Sequence, residues 1–427
     1  MPLNLPANKR GFLYATLVLV SGTAAGHAIT ALAMPILSRL YAPEDFGVLA
    51  VFTGIVTTIG VAGCLRFDIA IAIPKLADDG IGLLLLSIAS ATIVTFLTLI
   101  LIILGYDRFS AWIKQPGVDS LKWLIPFGVL AISIWSALQN WQIRKQNFAL
   151  MAHTRVSQSL TSAGVQGTAA LVGLGPIGLV SGPPAGFLVS TGWFMKHTWG
   201  DISKWIKRGS VSELRKLASD YRRYPLYSTW EAFFNQAAIH LPILLIAASG
   251  STAEAGYLML AMYVLQLPLG LLGSAIGQVY LSKAPEEYWR GNLAPFTYNL
   301  LRNLIKAGAL PIIGIGALSP ILFPLVFGAS WDRAGWLVAW MTPWFLLQFL
   351  ASPISMSLHV IGAQRAAMAL QFFGLTVRLG MTYLATLCLE THLAEVYALS
   401  GAVTYCVYLL AILLAIKNIT PEHVRTS

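Results

Sequence analysis

Charged residues are scarce in this sequence, at 11% of its 427 residues. A soluble domain carries about 25% charged residues, so the composition excludes an ordinary soluble protein. Apolar residues instead reach 56% and fall in long runs. The sequence therefore predicts an all-α protein that crosses a membrane many times.

Cysteine is almost absent, and Cys64, Cys388 and Cys406 lie in separate apolar runs. Their spacing gives neither a disulfide framework nor a zinc site. The sequence also lacks a P-loop, the H-E-x-x-H motif of zinc proteases and the G-x-S-x-G motif of hydrolases. We therefore expect no cofactor, no bound metal and no enzymatic activity.

The apolar runs predict about twelve transmembrane helices, because a span needs about 20 mainly apolar residues. The first run is too long for a cleaved signal peptide, and we expect it to be the first span. The predicted spans are 11–38, 46–73, 80–105, 122–140, 153–174, 176–196, 226–249, 255–281, 298–327, 335–357, 365–389 and 392–416.

The net charge of +10 points to the membrane, because most Lys and Arg residues fall in segments on one side of the predicted spans. Cytoplasmic loops carry this excess, so we expect both termini in the cytoplasm and no nucleic-acid partner. The longest polar segment, 197–225, divides the chain into halves 1–196 and 226–427. Its helical spacing predicts an amphipathic helix on the cytoplasmic face, with its basic side toward anionic lipid. The alternative is a helix that binds a partner protein.

The two halves begin their second spans alike. Pro43-Glu44-Asp45-Phe46-Gly47 opens span two, and Ala253-Glu254-Ala255-Gly256 opens span eight. Both place an acid at a helix N-terminus, where the helix dipole favours negative charge. Weak internal repeats of this kind are typical of transporters, whose substrate site lies between the halves.

Charges inside the predicted spans are candidate functional residues, because each costs roughly 2.5–3.5 kcal/mol on insertion scales. Arg66 and Asp68 lie near the cytoplasmic end of span two, where Arg66 could bind a phosphate and Asp68 could hold Arg66 or take a proton. Arg378 lies near the middle of span eleven, too deep to reach the interface. The alternative for Arg66 is that it lies at the interface and extends to lipid phosphates. The alternative for Arg378 is that it pairs with a neighbouring helix and serves the structure alone.

Span seven carries a polar stripe in which Glu231 and Asn235, and likewise Gln236 and His240, lie four residues apart and share a face. Such a stripe lines a wet cavity or forms hydrogen bonds between helices. Glu231 and His240 are candidates for proton coupling.

His27 lies in span one beside Gly22-x-x-x-Gly26, a close-packing pattern. We expect a packed, hydrogen-bonded imidazole there, and keep His27 as a coupling candidate. Arg302 lies at the start of span nine. Arg302 follows the excess of Lys and Arg at cytoplasmic helix ends, or it is a cation that meets the substrate at the cytoplasmic mouth of its path.

Three stretches resemble bacterial oligosaccharide flippases of the multidrug/oligosaccharidyl-lipid/polysaccharide exporter superfamily. The first is P-I-L-S-R-L-Y-A-P-E-D-F-G-V-L at 35–49. The others cover 224–290 and 323–355, the last with V-F-G-A-S-W, D-R-A-G and T-P-W-F-L-L-Q-F-L-A-S-P-I-S. Their order and spacing extend the resemblance over nearly the whole chain.

The resemblance implies two six-helix lobes around a central cavity lined by spans one, two, seven and eight, with alternating access. It implies transfer of polyprenyl-pyrophosphate-linked repeat units of O-antigen or another surface polysaccharide across a bacterial inner membrane. Arg66, Arg378 and Arg302 would meet the pyrophosphate, and Glu231, Asn235, Gln236 and His240 the sugars.

Membrane lipids, a polysaccharide polymerase and the chain-length machinery would be partners. The alternatives are a cation-coupled multidrug exporter of the same superfamily and a membrane polymerase or glycosyltransferase. The short outer segments argue against the enzymes, and the cationic character of the proposed cavity argues against the exporter.

Overall fold

The computed structural model of the chain describes residues 9–113, 121–249, 252–269, 274–361 and 363–417. The chain ends expected in the cytoplasm, 1–8 and 418–427, lie outside these ranges. Helices make up nearly all of the described chain. In order they are α1 (Lys9–Leu40), α2 (Pro43–Gly63), α3 (Phe67–Ala70), α4 (Ala77–Ile113), α5 (Leu124–Arg144), α6 (Phe148–Leu171), α7 (Gly175–Arg208), α8 (Val211–Asp220), α9 (Thr229–Ala248), α10 (Thr252–Pro268), α11 (Ser274–Trp289), α12 (Leu293–Leu304), α13 (Leu310–Phe327), α14 (Asp332–Ile354), α15 (Ser357–Val360), α16 (Gln364–Cys388) and α17 (Leu393–Lys417).

The all-α prediction is confirmed, and the fold is that of a multi-pass membrane protein. Seven helices in the described ranges are long and apolar enough to cross a bilayer. Predicted spans one, five, six, eight and eleven also lie on helices. The number of twelve spans stays a prediction.

The chain divides into two compact units. One contains residues 1–41 and 52–233, and the other contains 42–51 and 234–427. Helices α2 and α9 therefore each begin in one unit and end in the other. We call the units the N-unit and the C-unit, after the half that supplies most of each. The predicted domain boundaries at 196 and 226 stay a prediction.

The N-unit packs α1 on α6, α6 on α7, and α5 on α4 and α7. Gly22 and Gly26 face the α6 backbone at Ala152 and Arg155, which confirms the close packing predicted for Gly22-x-x-x-Gly26. Its core includes Trp141 and Phe194, each 1% exposed. The C-unit packs α14 on α10, α13 and α17, and α16 on α17.

The predicted span 46–73 is wrong as a single helix. Helix α2 ends at Gly63, and Leu65 and Arg66 take left-handed φ angles of 47° and 58°. A left-handed residue cannot continue a right-handed helix, so the chain turns before the short α3.

Within the predicted linker 197–225, α7 continues to Arg208. Helix α8 follows, and Ser210 and Glu213 form a capping box at its start. Leu217 is buried against Gly82 of α4. The predicted amphipathic helix is therefore present, with an apolar side chain packed on protein.

Candidate functional site

The Arg378 guanidinium lies inside the C-unit and is only 3% exposed. Its central carbon lies 4.3 Å from the centroid of the Trp344 ring and 5.5 Å from that of Tyr405. Trp344 packs in turn edge-on against Tyr397, whose hydroxyl donates to the Ile239 carbonyl of α9. Aromatic side chains from α14 and α17 thus fix the position of the arginine on α16.

Arg378 opens into a cavity of about 140 Å³ in the same unit. Asn235 of α9 and Gln371 of α16 also line it, and the Asn235 amide donates to the Gln371 side-chain oxygen at 2.9 Å. Hydroxyl groups complete the polar part of the wall. They come from Ser352, Ser355, Thr404, Tyr405 and Tyr408.

The cavity is cationic. No ion pair joins Arg378 to a carboxylate in the described part of the chain, and its Nε has no hydrogen-bond partner. Contact with aromatic faces stabilises a guanidinium by about 0.5–2 kcal/mol, which is less than the several kcal/mol that burying an ion costs. Guanidinium donors match carboxylate and phosphate oxygens, so the arrangement can bind an anion.

A second charged cluster lies in the N-unit, where the chain turns between α2 and α3. Asp68 is 4% exposed, and its Oδ2 accepts a hydrogen bond of 2.7 Å from Ser136 of α5. Asp68 Oδ1 and Arg66 Nε are both buried without a hydrogen-bond partner. The turn therefore holds a buried carboxylate beside a half-buried guanidinium, each with unused hydrogen-bonding capacity.

The other candidates lie apart from these two clusters. Gln236 and His240 of α9 are half-buried and do not line the Arg378 cavity. Glu231 is half-buried in the N-unit part of the same helix. Arg302 is exposed in the last turn of α12. These roles stay predictions.

The expectation of a packed, hydrogen-bonded His27 is wrong. The two glycines place α1 against α6, but His27 itself is exposed, and its ring has no hydrogen bond to the residues that the structure describes. It borders a small cavity in the N-unit instead.

Two features of these clusters were not predicted. Gln371 lies seven residues before Arg378, and this two-turn spacing places both on one helix face, a signal the sequence carries. The second is Arg155, which is the third residue of predicted span five, 153–174. Helix α6 begins at Phe148, so Arg155 lies two turns inside it.

Metal binding has no support in the described residues, where no group of three or more His, Cys, Asp or Glu side chains could hold an ion.

Comparison with protein families matches residues 36–335 to the family described as "Polysaccharide biosynthesis protein". The chain belongs to this family. The match confirms the resemblance drawn from the three sequence stretches, and it includes Arg66, Asp68 and span seven but ends before Arg378. Comparison with curated proteins finds no similar sequence.

Three solved structures share the fold of this polysaccharide biosynthesis protein. Lipid II flippase MurJ in an inward closed conformation matches with a TM-score of 0.70 and 13% identity, over 97% of this chain and 89% of the other. An inward-facing MATE family multidrug transporter matches with a TM-score of 0.59 and 14% identity, over 96% of both chains.

A third match is a MOP superfamily transporter from Pyrococcus furiosus, with a TM-score of 0.55 and 14% identity over 97% and 96% of the two chains. At these identities the three likenesses establish the fold and no more.

Proposed function

We propose that the protein is a flippase that transfers lipid-linked oligosaccharide across a bacterial inner membrane. The observation that carries this proposal is Arg378, a buried guanidinium without a carboxylate partner beside a cavity of amides and hydroxyls. Membership of the polysaccharide biosynthesis family indicates that the substrate contains sugar. The substrate is a polyprenyl-pyrophosphate-linked repeat unit, of O-antigen or another surface polysaccharide.

The chemistry of the cavity suits this substrate. A pyrophosphate-linked sugar is anionic at one end and rich in hydroxyl groups, so it needs cationic and hydrogen-bonding partners while its tail stays in lipid. Arg378 and Arg66 would bind the anionic part bidentately, with Arg302 at the cytoplasmic mouth. Asn235 and Gln371 offer hydrogen bonds to sugar.

The remaining candidates would act along the same path by alternating access. Gln236 would contact sugar, Glu231 and His240 would contact sugar or take part in ion coupling, and Asp68 and His27 are further coupling candidates. Both termini would lie in the cytoplasm, since this puts most Lys and Arg residues on that side. A polysaccharide polymerase and the chain-length machinery would then receive the product outside.

The multidrug alternative is disfavoured by the same observation. An organic cation brought into the cavity would meet the charge of Arg378 with no carboxylate to offset it, and like charges in a site of low dielectric repel strongly. A polymerase or glycosyltransferase has no structural observation in its favour.

Export of surface polysaccharide tests the proposal. In cells that depend on this protein, Arg378→Gln should lower surface polysaccharide at least tenfold and cause lipid-linked oligosaccharide to accumulate on the cytoplasmic side. Arg290→Gln is the matched control, because Arg290 is exposed and its ion pair with Glu286 joins two exposed side chains, worth about 0–1 kcal/mol. Normal export by an Arg378→Gln protein present at wild-type levels would contradict the proposal.

A further inference from the structure

A second arginine stacked on a tryptophan lies in the N-unit, where its side chain is half-buried. The central carbon of the Arg155 guanidinium lies 5.0 Å from the centroid of the Trp135 ring, which packs against Phe187 at 5.1 Å. Its side chain donates a long hydrogen bond of 3.4 Å to the Gln139 side-chain oxygen. Arg155 borders a cavity of about 180 Å³, which we call the Arg155 pocket.

The walls of the Arg155 pocket match those of the Arg378 cavity in kind. An amide, hydroxyl groups and an imidazole line it, from Gln158, Thr23, Thr30, Ser159, Ser162 and His27. No Asp or Glu lies among the lining residues of either cavity. Within the described residues, Arg155 forms no ion pair with a carboxylate.

The two pockets also occupy equivalent places in the two halves of the chain. Counted by predicted spans, each has its arginine on the fifth span of its half and the stacking tryptophan on the fourth. The first and sixth spans of each half complete the walls. Trp344 follows Trp135 by 209 positions, the same offset that separates Gly256 from Gly47. An arginine and the tryptophan it stacks on thus lie on corresponding spans of the two halves, although the arginines are 223 positions apart (378 − 155).

Size narrows the choice of ligand. A cavity of roughly 150 Å³ accepts one six-membered ring, as benzene in an engineered cavity demonstrates. At about 140 and 180 Å³, each pocket has room for a small ring and its nearest substituents, and not for an oligosaccharide. The guanidinium demands a negative charge, and the amides and hydroxyls suit the ring hydroxyls of a sugar.

We propose that the Arg155 pocket is a second binding site for a sugar ring that carries an anionic group, equivalent to the site at Arg378. This inference rests on the proposed function, which supplies a substrate containing sugar and phosphate. It adds that each unit holds its own anionic-sugar site. The negative charge is a phosphate next to the lipid or a carboxylate on the saccharide.

Arginine modification with phenylglyoxal tests the pocket directly. The full-length protein in phosphatidylcholine nanodiscs is treated with the reagent, and peptides are quantified by mass spectrometry. The probes are glucose 1-phosphate, glucuronate and inorganic pyrophosphate, with glucose and sodium chloride as controls. We expect an anionic sugar to slow modification of Arg155 at least threefold, while glucose and salt have no effect. Arg365, which is exposed at the start of α16, should react equally in all samples.

The probes separate the two sources of charge. Stronger protection by glucose 1-phosphate identifies the phosphate, and stronger protection by glucuronate identifies an acidic saccharide. Protection by pyrophosphate alone would contradict a sugar site. The proposal also fails if Arg155 reacts at one rate with every probe, or if it does not react at all, because the pocket would then be closed to small molecules.

Variants separate this inference from the proposed function. In an Arg378→Gln protein, the anionic sugar that best protects Arg155 should raise the unfolding temperature. Adding Arg155→Gln should abolish this stabilisation, and adding Arg155→Lys should retain part of it. If no such stabilisation exists while Arg378→Gln stops polysaccharide export, the Arg155 site is wrong and the flippase stands. If Arg155 binds the probe but Arg378→Gln exports normally, the flippase proposal fails and the binding site stands.

Discussion

Gly47 and Gly256 occupy the same position in two helices whose amino ends pack against each other in the C-unit. A Cβ atom on Gly47 would overlap the carbonyl oxygen of Thr252, the first residue of α10. A Cβ atom on Gly256 would overlap the carbonyl oxygen of Pro43, the first residue of α2. The reciprocity indicates a local two-fold relation between the repeats, and only glycine permits so close a contact.

The first prediction follows from this contact. Gly256→Ala should lower the free energy of unfolding by about 1–3 kcal/mol, because the obstructing atoms belong to backbone and cannot rotate away. Helix propensity alone would give the opposite sign, a gain of about 1 kcal/mol. Thermal unfolding in detergent measures the change. Gly314→Ala in α13, where a Cβ meets no other atom, is the control and should stabilise slightly.

The second prediction concerns the ion pairs at the first turns of α10, α14 and α17. Arg333 contacts Glu254 and Glu395, each at 2.6 Å, with the carboxylates largely buried. Arg333→Gln leaves both acids without their cation, and we expect a loss of about 2 kcal/mol in unfolding free energy.

A double-mutant cycle with Glu395→Gln should give a coupling energy of at least about 0.5 kcal/mol. Additive effects of the two changes would contradict a shared ion pair. The exposed pairs of Arg290 provide the reference, since Arg290→Gln should have almost no effect.

Much of this fold could be predicted from the sequence, because hydropathy and turn residues dominate the placement of membrane helices. The first, fifth and eleventh predicted spans carry the polar residues His27, Arg155 and Arg378, which line the two cavities. What the sequence could not reveal was the break at Leu65 and Arg66. Neither residue favours a left-handed backbone, and only tertiary packing can impose one on them.

Part of the candidate site could also be predicted from the sequence. Arg378 and Asn235 could be singled out, because each is a polar group inside an apolar run. The aromatic partners Trp344 and Tyr405 could not, because aromatic residues are common in apolar helices. Arg155 was not singled out, because predicted span five begins at 153 and places it at the membrane interface, whereas α6 begins five residues earlier.

The third prediction separates strain from charge at Arg66. Asparagine tolerates a left-handed backbone better than arginine, and relieving the strain at φ 58° should leave stability unchanged or raise it by about 1 kcal/mol. Arg66→Asn should therefore fold normally but lose surface polysaccharide, while Arg66→Lys retains part of the export. An Arg66→Asn protein that exports at the wild-type level would remove Arg66 from the proposed path.

The fourth prediction concerns α8, which Leu217 holds against Gly82. Leu217→Ala removes the contact and should speed amide hydrogen exchange across 211–220 about tenfold, which corresponds to about 1.4 kcal/mol of local opening. Val211, in the same helix, is 82% exposed, and Val211→Ala should leave exchange unchanged. Unaltered exchange in the Leu217→Ala protein would mean that α8 is held by other contacts.

The last prediction asks whether the charge of Arg378 serves the fold or the substrate. Methionine fills similar space and makes favourable contacts with aromatic rings, so Arg378→Met should pack against Trp344 without a buried charge. Replacing buried charges by apolar residues of similar volume is often neutral or stabilising by 1–4 kcal/mol. We therefore expect an equal or higher unfolding temperature, together with loss of polysaccharide export. A protein that is strongly destabilised would instead assign Arg378 a structural role, because a guanidinium required by the fold cannot be exchanged for an apolar side chain without loss.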